Sequence, residues 1–468
     1  MSFAAGAGLV LAISSIGLAA DWPMFRGHDA SGVSEARNLP VEFGPDKNVI
    51  WKTALPGGHS SPVLAGSRIY LTAVDGEKLF VFCLERETGK ILWRREVPRP
   101  RKQELHKSNS AASPSIAADG KNVFAFFTDF GLISYGPDGE ERWRVPLGPF
   151  NNPFGMGASP VLANGKLIQV CDSETGSFII AVDQRDGKVI WRKERPEFTR
   201  GFSTPVLHRA EGRLQAVVAG SGRLIAYDVD SGEEVWFVRG LTWQMKPTPV
   251  VEGDIAYVLG WAGGSDQGNQ ETLPSWKDVL GSMDVNKDGK LGKDELTPEQ
   301  QKDFGEADLD RDGFMGERDW EKYRDKRASV NSVMAVKLGG KGDMTETNIV
   351  WRYYKSLPNA PSPLLYKGVV YLMKEGGILT ALDAKTGAVL KQGRLPGALD
   401  FYYSSPVGAD GKLFAASESC QVSVIKAGAD WEVLARNDFD DSCFATPAPV
   451  DDRLYLRTGT ALYCFGLK

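Results

Sequence analysis

Outside segment 261–330, eight Ser-Pro or Thr-Pro dipeptides divide this chain of 468 residues at nearly regular intervals. Consecutive prolines lie 41 to 52 residues apart, except for one interval of 114 residues. A fixed period of this length indicates a repeat architecture, in which each unit buries its apolar face against its neighbours. Removing segment 261–330 restores the common period in the long interval. The dipeptides begin at Ser61, Ser113, Ser159, Thr204, Thr248, Ser362, Ser405 and Thr446.

Each repeat contains the same succession of short apolar runs and turns. The anchor dipeptide is followed by a turn, a β-rich run such as Val369–Leu372, and a second apolar run that ends near an aspartate such as Asp383. A Thr-Gly or Asp-Gly turn then leads into a final strand that usually carries tryptophan. Four short strands separated by turn signals are typical of a propeller blade. The tryptophans are Trp93, Trp143, Trp191, Trp236, Trp351 and Trp431.

The two ends of the repeat array complement each other. The last unit lacks its fourth strand, and an unpaired strand pattern at 48–53 precedes the first unit. Closing the ring with this N-terminal strand would hide two sheet edges. We therefore predict an all-β fold, an eight-bladed β-propeller built from 47–260 and 331–468, with a small α-helical insertion at 261–330 in blade five. Seven blades are the alternative if the poorly marked sixth or seventh unit merges with a neighbour.

Two stretches of the insertion have the spacing of calcium-binding loops. They run from Asp284 to Glu295 and from Asp308 to Asp319, each with glycine at position 6. Such a loop supplies oxygen ligands from positions 1, 3, 5 and 12 and from the backbone carbonyl of position 7. The pattern resembles the EF-hand family. The predicted ligands, with Lys290 and Phe314 acting through carbonyl oxygens, are Asp284, Asn286, Asp288, Lys290, Glu295, Asp308, Asp310, Asp312, Phe314 and Asp319.

The second loop departs from the pattern at Asp319, which is one methylene shorter than glutamate. We expect this site to bind calcium more weakly or to accept magnesium, so the module holds one or two ions. Leu291 and Met315 at position 8 can pair the loops as a short strand, and Ser275 and Thr297 have the spacing of helix N-caps. The alternative is that these are solvated acidic turns that bind no metal.

The insertion interrupts blade five between its second strand, Ile255–Leu259, and its third, Val333–Leu338. In a four-stranded antiparallel blade, the connection between these strands lies on the same face as the connections between blades. We therefore expect the insertion beside the funnel where propellers usually bind ligands. Candidate funnel residues in the inter-blade connections are His59, Lys107, Asn109, Arg200, Trp243, Lys246, Asn359, Tyr402, Asp440 and Asp441, together with Phe154, Met156, Phe202 and Tyr403. The alternative is ordinary loop packing around the axis.

The motifs Asp21–Gly27, Ala112–Pro114 and Cys171–Asp172 resemble secreted bacterial members of the pyrroloquinoline-quinone-like propeller family. That family includes outer-membrane assembly propellers and quinoprotein dehydrogenases. The resemblance implies the propeller fold over nearly the whole chain outside the insertion. It does not imply one activity, because propellers host many functions.

The quinoprotein alternative implies a quinone-dependent oxidoreductase with pyrroloquinoline quinone in the funnel, calcium held by funnel acids and a carboxylate base. Such enzymes usually carry an adjacent cysteine pair, which is absent here. We therefore favour a non-catalytic calcium-binding scaffold whose partner, an unknown protein or small molecule, binds at the propeller face. A hydrolase on that face is a third option that no motif supports.

Residues 1–20 resemble a signal peptide or an uncleaved anchor, and 21–46 form a further N-terminal segment. We expect export to the periplasm or the extracellular space, with membrane contact only through an uncleaved N-terminus. The net charge of −5 and the lack of a basic patch disfavour nucleic-acid binding. Of the five cysteines, most are expected to be small buried strand residues, with a Cys420–Cys443 disulfide as an option.

Overall fold

Each repeat folds into one antiparallel sheet, and eight such sheets follow one another around a central axis. The computed structural model describes residues 21–467. Within a blade the strands are ordered as they occur in the chain, and the first strands of neighbouring blades contact each other. This confirms the eight-bladed propeller rather than its seven-bladed alternative.

The strands of the first half, of which the first belongs to blade eight, are β1 (Val49–Ala54), β2 (Val63–Ala65), β3 (Arg68–Asp75), β4 (Lys78–Glu85), β5 (Ile91–Val97), β6 (Ala117–Ala118), β7 (Val123–Phe127), β8 (Gly131–Tyr135), β9 (Glu141–Pro146), β10 (Val161–Ala163), β11 (Lys166–Cys171), β12 (Phe178–Asp183), β13 (Val189–Glu194), β14 (Val206–Ala210), β15 (Arg213–Gly220), β16 (Arg223–Asp228), β17 (Glu234–Arg239), β18 (Val250–Glu252) and β19 (Ile255–Gly260). The later strands are β20 (Leu291–Gly292), β21 (Phe314–Met315), β22 (Ser332–Lys337), β23 (Gly342–Asp343), β24 (Ile349–Tyr353), β25 (Leu364–Tyr366), β26 (Val369–Lys374), β27 (Ile378–Asp383), β28 (Val389–Arg394), β29 (Val407–Ala409), β30 (Lys412–Ala416), β31 (Gln421–Lys426), β32 (Glu432–Asp438), β33 (Ala448–Val450), β34 (Arg453–Arg457) and β35 (Ala461–Phe465). The helices are α1 (Trp276–Met283), α2 (Pro298–Ala307), α3 (Glu317–Ala328) and α4 (Thr345–Asn348), with 3-10 turns at His28–Ala30 and Lys293–Glu295.

The N-terminal strand closes the ring. Strand β1 pairs antiparallel with β35, with Trp51 opposite Cys464, and forms the fourth strand of blade eight. The edge of β35 is thereby covered, which confirms the closure that the sequence predicted.

The anchor serines and threonines form a closed ring of hydrogen bonds around the axis. The backbone amide of Ser61 donates to the hydroxyl of Ser115 in the next blade at 2.9 Å, and the same contact repeats from blade to blade at 2.9 to 3.2 Å. All eight side chains are buried. In blade two the member is Ser115 and not Ser113, because the first strand begins two residues after Ser115, as it does after the anchors of the other blades. This corrects the anchor position assigned from the dipeptide.

Tryptophans of the outer strands bind five of the blades to the next blade. The Nε1 atom of Trp191 donates to the carbonyl oxygen of Val229 at 3.0 Å, and the indole covers Gly232. Gly232 has a φ of 72°, and a β-carbon on it would lie 2.6 Å from the ring, so glycine is required there. The same arrangement explains the turn-then-tryptophan pattern for Trp51, Trp93, Trp143 and Trp351.

Two outer-strand tryptophans differ from this pattern. Trp236 donates to Gln215 within its own blade at 2.9 Å, and its strand β17 is paired in parallel with the short strand β23. Trp431 lies one residue before β32 rather than inside it. The tryptophan pattern therefore identifies the repeats correctly but not every blade contact.

The N-terminal segment crosses the face opposite to the inter-blade connections. Trp22 forms a bridge with Leu64, and the carbonyl oxygen of Pro23 accepts from Ala118 at 2.8 Å. Farther along, the Nη2 atom of Arg26 donates to Pro363 at 2.8 Å, and Gly408 donates to Gly32 at 2.8 Å. The residues that contact the N-terminal segment in this way belong to blades one, two, six and seven, so the segment spans the axis. The predicted signal or anchor at 1–20 lies outside the described residues.

Helices α1 to α3 form a separate small unit between β19 and β22. Ser275 and Thr297 cap α1 and α2, as predicted. Leu291 pairs with Met315 across β20 and β21, and both side chains are buried with Trp320 in a core of the insertion itself. Of the helices within residues 21–467, none has the length and apolar character needed to span a bilayer.

Cys420 and Cys443 form a disulfide with their Cα atoms 4.7 Å apart. It joins the turn before β31 to the connection after β32. Cys83, Cys171 and Cys464 are buried. The disulfide that the sequence left as an option is therefore formed, and the other three cysteines are buried strand residues as expected.

Candidate functional site

A cavity of about 410 Å³ lies at the axis of the propeller. Hydroxyl groups of the anchor ring line it, and aromatic residues from the inter-blade connections surround them. Such a concave site, apolar in its walls and with a few convergent polar groups, is typical of ligand pockets. The aromatic lining residues are Phe25, Phe154, Phe202, Trp261, Tyr403 and Phe444, accompanied by His59 and His106.

Lys246 is the only lysine or arginine in the lining of this cavity, counted over residues 21–467. Its Nζ atom donates to Asn359 Oδ1 at 2.8 Å and lies 5.6 Å from the ring centre of Trp261. Burial lowers the pKa of Lys246 to about 8. Removal from water disfavours the ammonium form unless a counter-charge is present, so this amine is suited to an anionic or carbonyl group of a ligand.

On the opposite side of the cavity the aromatic rings are stacked. The imidazole of His59 stacks on Phe444 with ring centres 4.0 Å apart, and Tyr403 stacks on the same phenyl ring at 5.2 Å. Burial, and secondarily the charge of Arg457, lowers the pKa of His59 to about 4. The ring is therefore neutral near pH 7 and acts as a hydrogen-bonding aromatic surface.

The structure brings four of the ten predicted funnel residues into the axial cavity, and the others lie elsewhere. The four are His59, Asn109, Lys246 and Asn359. Three of the additional aromatic candidates, Phe154, Phe202 and Tyr403, also line it, whereas Met156 is fully buried in a core cluster.

The other six candidates require correction. Arg200 and Trp243 line a crevice against the insertion. Tyr402 is buried in the core cluster of blades six and seven, whereas its neighbour Tyr403 faces the cavity. The residues Lys107 and Asp440 are exposed, and Asp441 is used by the backbone amides of Ser442 and Thr460.

Several lining residues were missed from the sequence. Phe25 comes from the N-terminal segment and closes the end of the cavity opposite to the inter-blade connections. The anchor hydroxyls were recognised as repeat markers but not as cavity lining. A signal existed for them, because the first residue of each blade's innermost strand follows two positions later and must lie near the axis.

The lining does not fit a quinone-dependent dehydrogenase. Among the described residues that form it, there is no aspartate or glutamate. Such an enzyme needs a carboxylate base and acidic ligands for its metal beside the cofactor. The hydroxyl ring and Lys246 supply neither, so no catalytic step through a quinone can be derived for this cavity.

The two acidic loops of the insertion have matching internal hydrogen bonds. At position 6, Gly289 donates to Asp284 Oδ2 and Gly313 donates to Asp308 Oδ2, both at 3.0 Å. Both glycines have positive φ, as the sharp turn requires. The carboxylates at position 12 of the two loops also make equivalent hydrogen bonds. Glu295 accepts from the backbone amide of Gly292 at 2.8 Å, and Asp319 accepts from the backbone amide of Gly316 at 3.0 Å.

The predicted ligands at positions 1, 3 and 5 converge in the second loop. Carboxylate oxygens of Asp308, Asp310 and Asp312 lie within 4.8 Å of one another. In the first loop, the Oδ1 atom of Asp284 is buried and has no hydrogen-bond partner among the described residues. Clustered carboxylates and an unpaired buried oxygen are chemically suited to a hard divalent cation. Lys290 Nζ pairs with Asp312 Oδ2 at 2.7 Å and competes for one of these oxygens.

The insertion packs on the connections between blades. The Nδ2 atom of Asn151 donates to the carbonyl oxygen of Leu309 at 2.9 Å, inside the second acidic loop. Nearby, the ammonium of Lys326 lies 5.0 Å from the ring centre of Trp243. Asn151 and Trp243 belong to inter-blade connections, so the insertion lies on the face that also carries the mouth of the axial cavity.

A family model described as outer membrane protein assembly factor BamB matches residues 33–174 and 175–273. The chain is 25% identical over 211 residues to the assembly factor BamB of Alkalilimnicola ehrlichii, covering 43% of this chain and 49% of that protein. It is 26% identical over 185 residues to the quinoprotein alcohol dehydrogenase PedH of Pseudomonas putida, covering 36% of this chain and 30% of that protein. The match therefore spans less than two thirds of either relative. Among solved structures, BamB from Moraxella catarrhalis shares the fold, with a TM-score of 0.56, 14% identity, and coverage of 89% and 97% of the two chains.

Proposed function

The chain belongs to the repeat family of the outer membrane protein assembly factor BamB, and from this premise we propose that it is an exported calcium-binding scaffold without catalytic activity. Its propeller face binds a protein or small-molecule partner, and its insertion flanks the binding surface. The observation that carries this proposal is the axial cavity, which offers aromatic and hydroxyl groups but no carboxylate from the described residues. Such a surface supports recognition, and it lacks the acid–base pair that a dehydrogenase needs.

Calcium has a structural role in this proposal. The first ion would be held by Asp284, Asn286, Asp288 and Glu295 with the carbonyl of Lys290, and the second by Asp308, Asp310, Asp312 and Asp319 with the carbonyl of Phe314. Bound metal would stabilise the folded insertion, because the unfolded chain does not hold the ligands in position to bind the ion. The Asn151–Leu309 contact would then transmit this order to the propeller face.

Export and partnership follow from the relatives by analogy. The matched relatives named BamB are described as assembly factors of outer membrane proteins. A similar location would give the insertion access to calcium outside the cytoplasm. Calcium-binding modules there work at higher calcium concentrations than cytosolic ones. We propose that the partner approaches from the inter-blade face, because the N-terminal segment occupies the opposite one.

Calorimetric titration of calcium into the purified chain tests the metal half of the proposal. We expect saturable binding that raises the melting temperature, with Glu295→Gln removing the first site and Asp319→Asn removing the second. Lys277→Gln on the exposed surface of α1 is the matched control and should bind as the parent does. Identical titrations of parent and Glu295→Gln would refute the ligand assignment.

The second candidate is a quinone-dependent oxidoreductase, favoured by the similarity to PedH. A dye-linked assay with alcohols, calcium and added pyrroloquinoline quinone distinguishes it. We expect no turnover above the rate of quinone alone. Turnover that disappears in Lys246→Met but persists in Lys277→Met would replace the scaffold proposal by the enzyme.

A further inference from the structure

A side chamber of about 200 Å³ opens between blades eight and one, beside the axial cavity. His59 and Phe444 line both spaces, so their stacked rings separate the chamber from the axis. The mouth of the chamber is at Gly57, which is exposed. The remaining lining residues are Gly58, Ser442, Arg457, Thr458 and Gly459.

Arg457 carries a buried guanidinium that lacks a counter-charge. The residue is only 1% exposed, and within residues 21–467 no carboxylate forms an ion pair with it. The Nη1 atom donates to the carbonyl oxygen and hydroxyl of Ser60 at 2.9 and 2.6 Å, whereas Nε has no hydrogen-bond partner in the described part of the chain. By contrast, the equally buried Arg195 in blade three is paired with Asp172.

The groups around this guanidinium do not neutralise it. His59 also faces the chamber and is a neutral ring near pH 7. Asp441 precedes the lining residue Ser442, but its two oxygens accept from the amides of Ser442 and Thr460 at 2.7 and 3.1 Å. Desolvation without compensation lowers the pKa of Arg457 to about 9. An anion entering the chamber would relieve this cost.

We propose that the chamber binds a compact oxyanion through Arg457. The site takes a carboxylate, sulfate or phosphate group, with the guanidinium of Arg457 as the donor and Ser442 and Thr458 on its walls. His59 and Phe444, which line both spaces, place this anion site directly beside the axial cavity. This extension rests on the proposed binding function, because it names the ligand class of the same funnel.

Sulfate and acetate, each titrated at constant ionic strength against chloride, test the inference by calorimetry and thermal melting of the full chain. We expect saturable binding of at least one of them and an increase in melting temperature. Arg457→Lys should weaken binding by about tenfold or more, because the guanidinium fork is lost. The matched control is Arg26→Lys, since Arg26 is equally buried and also has an unpaired Nε, but it donates to Pro363 in blade six and does not line this chamber.

Gly57→Leu provides a second variant that keeps Arg457. A β-carbon at Gly57 has no neighbour closer than 4.0 Å, so the fold accepts it while the side chain obstructs the mouth. Loss of anion binding in this variant supports the site even if Arg457→Lys fails to fold. Unsaturable anion effects, or equal effects in parent, Arg457→Lys and Gly57→Leu, would overturn it.

The two oxyanions also identify the source of the group. A response to acetate indicates the carboxylate of an organic acid, and a response to sulfate alone indicates a sulfate or phosphate group. Calcium titrations of the same samples are independent of Arg457. A chain that binds anions but not calcium would therefore refute the proposed metal role and support the anion site. A chain that binds calcium but not anions would support the metal role and refute the anion site.

Discussion

The backbone amide of Thr446 donates to the hydroxyl of Ser61 at 2.9 Å, across 385 residues of chain. This bond joins the last blade to the first and completes the anchor ring. Each ring hydroxyl satisfies a buried amide of the preceding blade, and an unpaired buried amide is costly. The hydroxyls that mark the repeats in the sequence are therefore structural bonds between blades as well as lining of the axial cavity.

Ser405→Ala should destabilise the propeller. It leaves the buried amide of Ser362 without its acceptor, so we expect a loss of about 1–3 kcal/mol in the free energy of unfolding, measured in urea. Ser67→Ala at an exposed turn is the control and should change it by less than about 0.5 kcal/mol. Equal stabilities for the two variants would show that the ring bond contributes nothing.

Gly232→Ala should be more harmful than other glycine substitutions in turns. Its β-carbon would overlap the indole of Trp191 at 2.6 Å, so we expect a loss of about 2–4 kcal/mol together with a shift in tryptophan fluorescence. Gly212 has a similar positive φ of 79° and nothing within 4 Å of such an atom. Gly212→Ala therefore isolates the backbone penalty, and an equal loss in both would contradict a role for the tryptophan contact.

Lys290→Gln should strengthen the second acidic loop. The hydrogen bond from Lys290 is the largest cause that lowers the pKa of Asp312, and the ammonium must leave before that oxygen can bind metal. In the proposed ligand assignment Lys290 contributes only a carbonyl to the first loop. We expect calcium affinity at the second loop to rise by about threefold at low ionic strength, measured by calorimetry. An unchanged affinity would mean that the ion pair does not compete.

Asn151→Ala should disconnect the insertion from the propeller. Calcium is expected to slow amide hydrogen exchange in the connection at 149–154, because Asn151 holds the carbonyl of Leu309 within the second acidic loop. In the variant this protection should disappear while protection of the loop itself remains. Asn269→Ala at an exposed position of the insertion is the control. Full protection of 149–154 in Asn151→Ala would contradict this route.

Acid should destabilise the parent more than His59→Gln. The folded protein holds the pKa of His59 at about 4, below its ordinary value of 6.5, chiefly through burial. Between these values the unfolded chain binds a proton that the folded protein does not, so stability falls as pH decreases through this window. We expect an extra loss of about 1–3 kcal/mol from pH 7 to pH 4, measured by urea unfolding. His28→Gln at an exposed position should retain the full acid sensitivity of the parent.

The repeat period predicted the blades because each one needs the same anchor and turns, and all but blade six also carry the outer tryptophan. It misplaced the anchor of blade two, where Ser113 and Ser115 flank one proline and only contact with Ser159 distinguishes them. The closing strand was predictable from counting strands at the two ends. The position of the insertion also followed from topology, since the second-to-third connection of a blade has a fixed side.

The funnel was less predictable. Tyr402 and Tyr403 are adjacent in an irregular connection, and only the fold decides that the first packs into the core and the second faces the cavity. Arg457 lies on a strand and has no motif around it. Its buried charge becomes visible only when blades eight and one are brought together, so no local pattern could have identified it.

The N-terminal segment gives the propeller a single open end. With Phe25 beneath the cavity, a small molecule that enters between the inter-blade connections must leave by the same route. The residence time of such a molecule then depends on what covers that exit. A macromolecule docked there would block both the entry and the release of the small molecule. If the proposed ligand and partner both use this face, guest exchange and partner docking compete on one side of this protein.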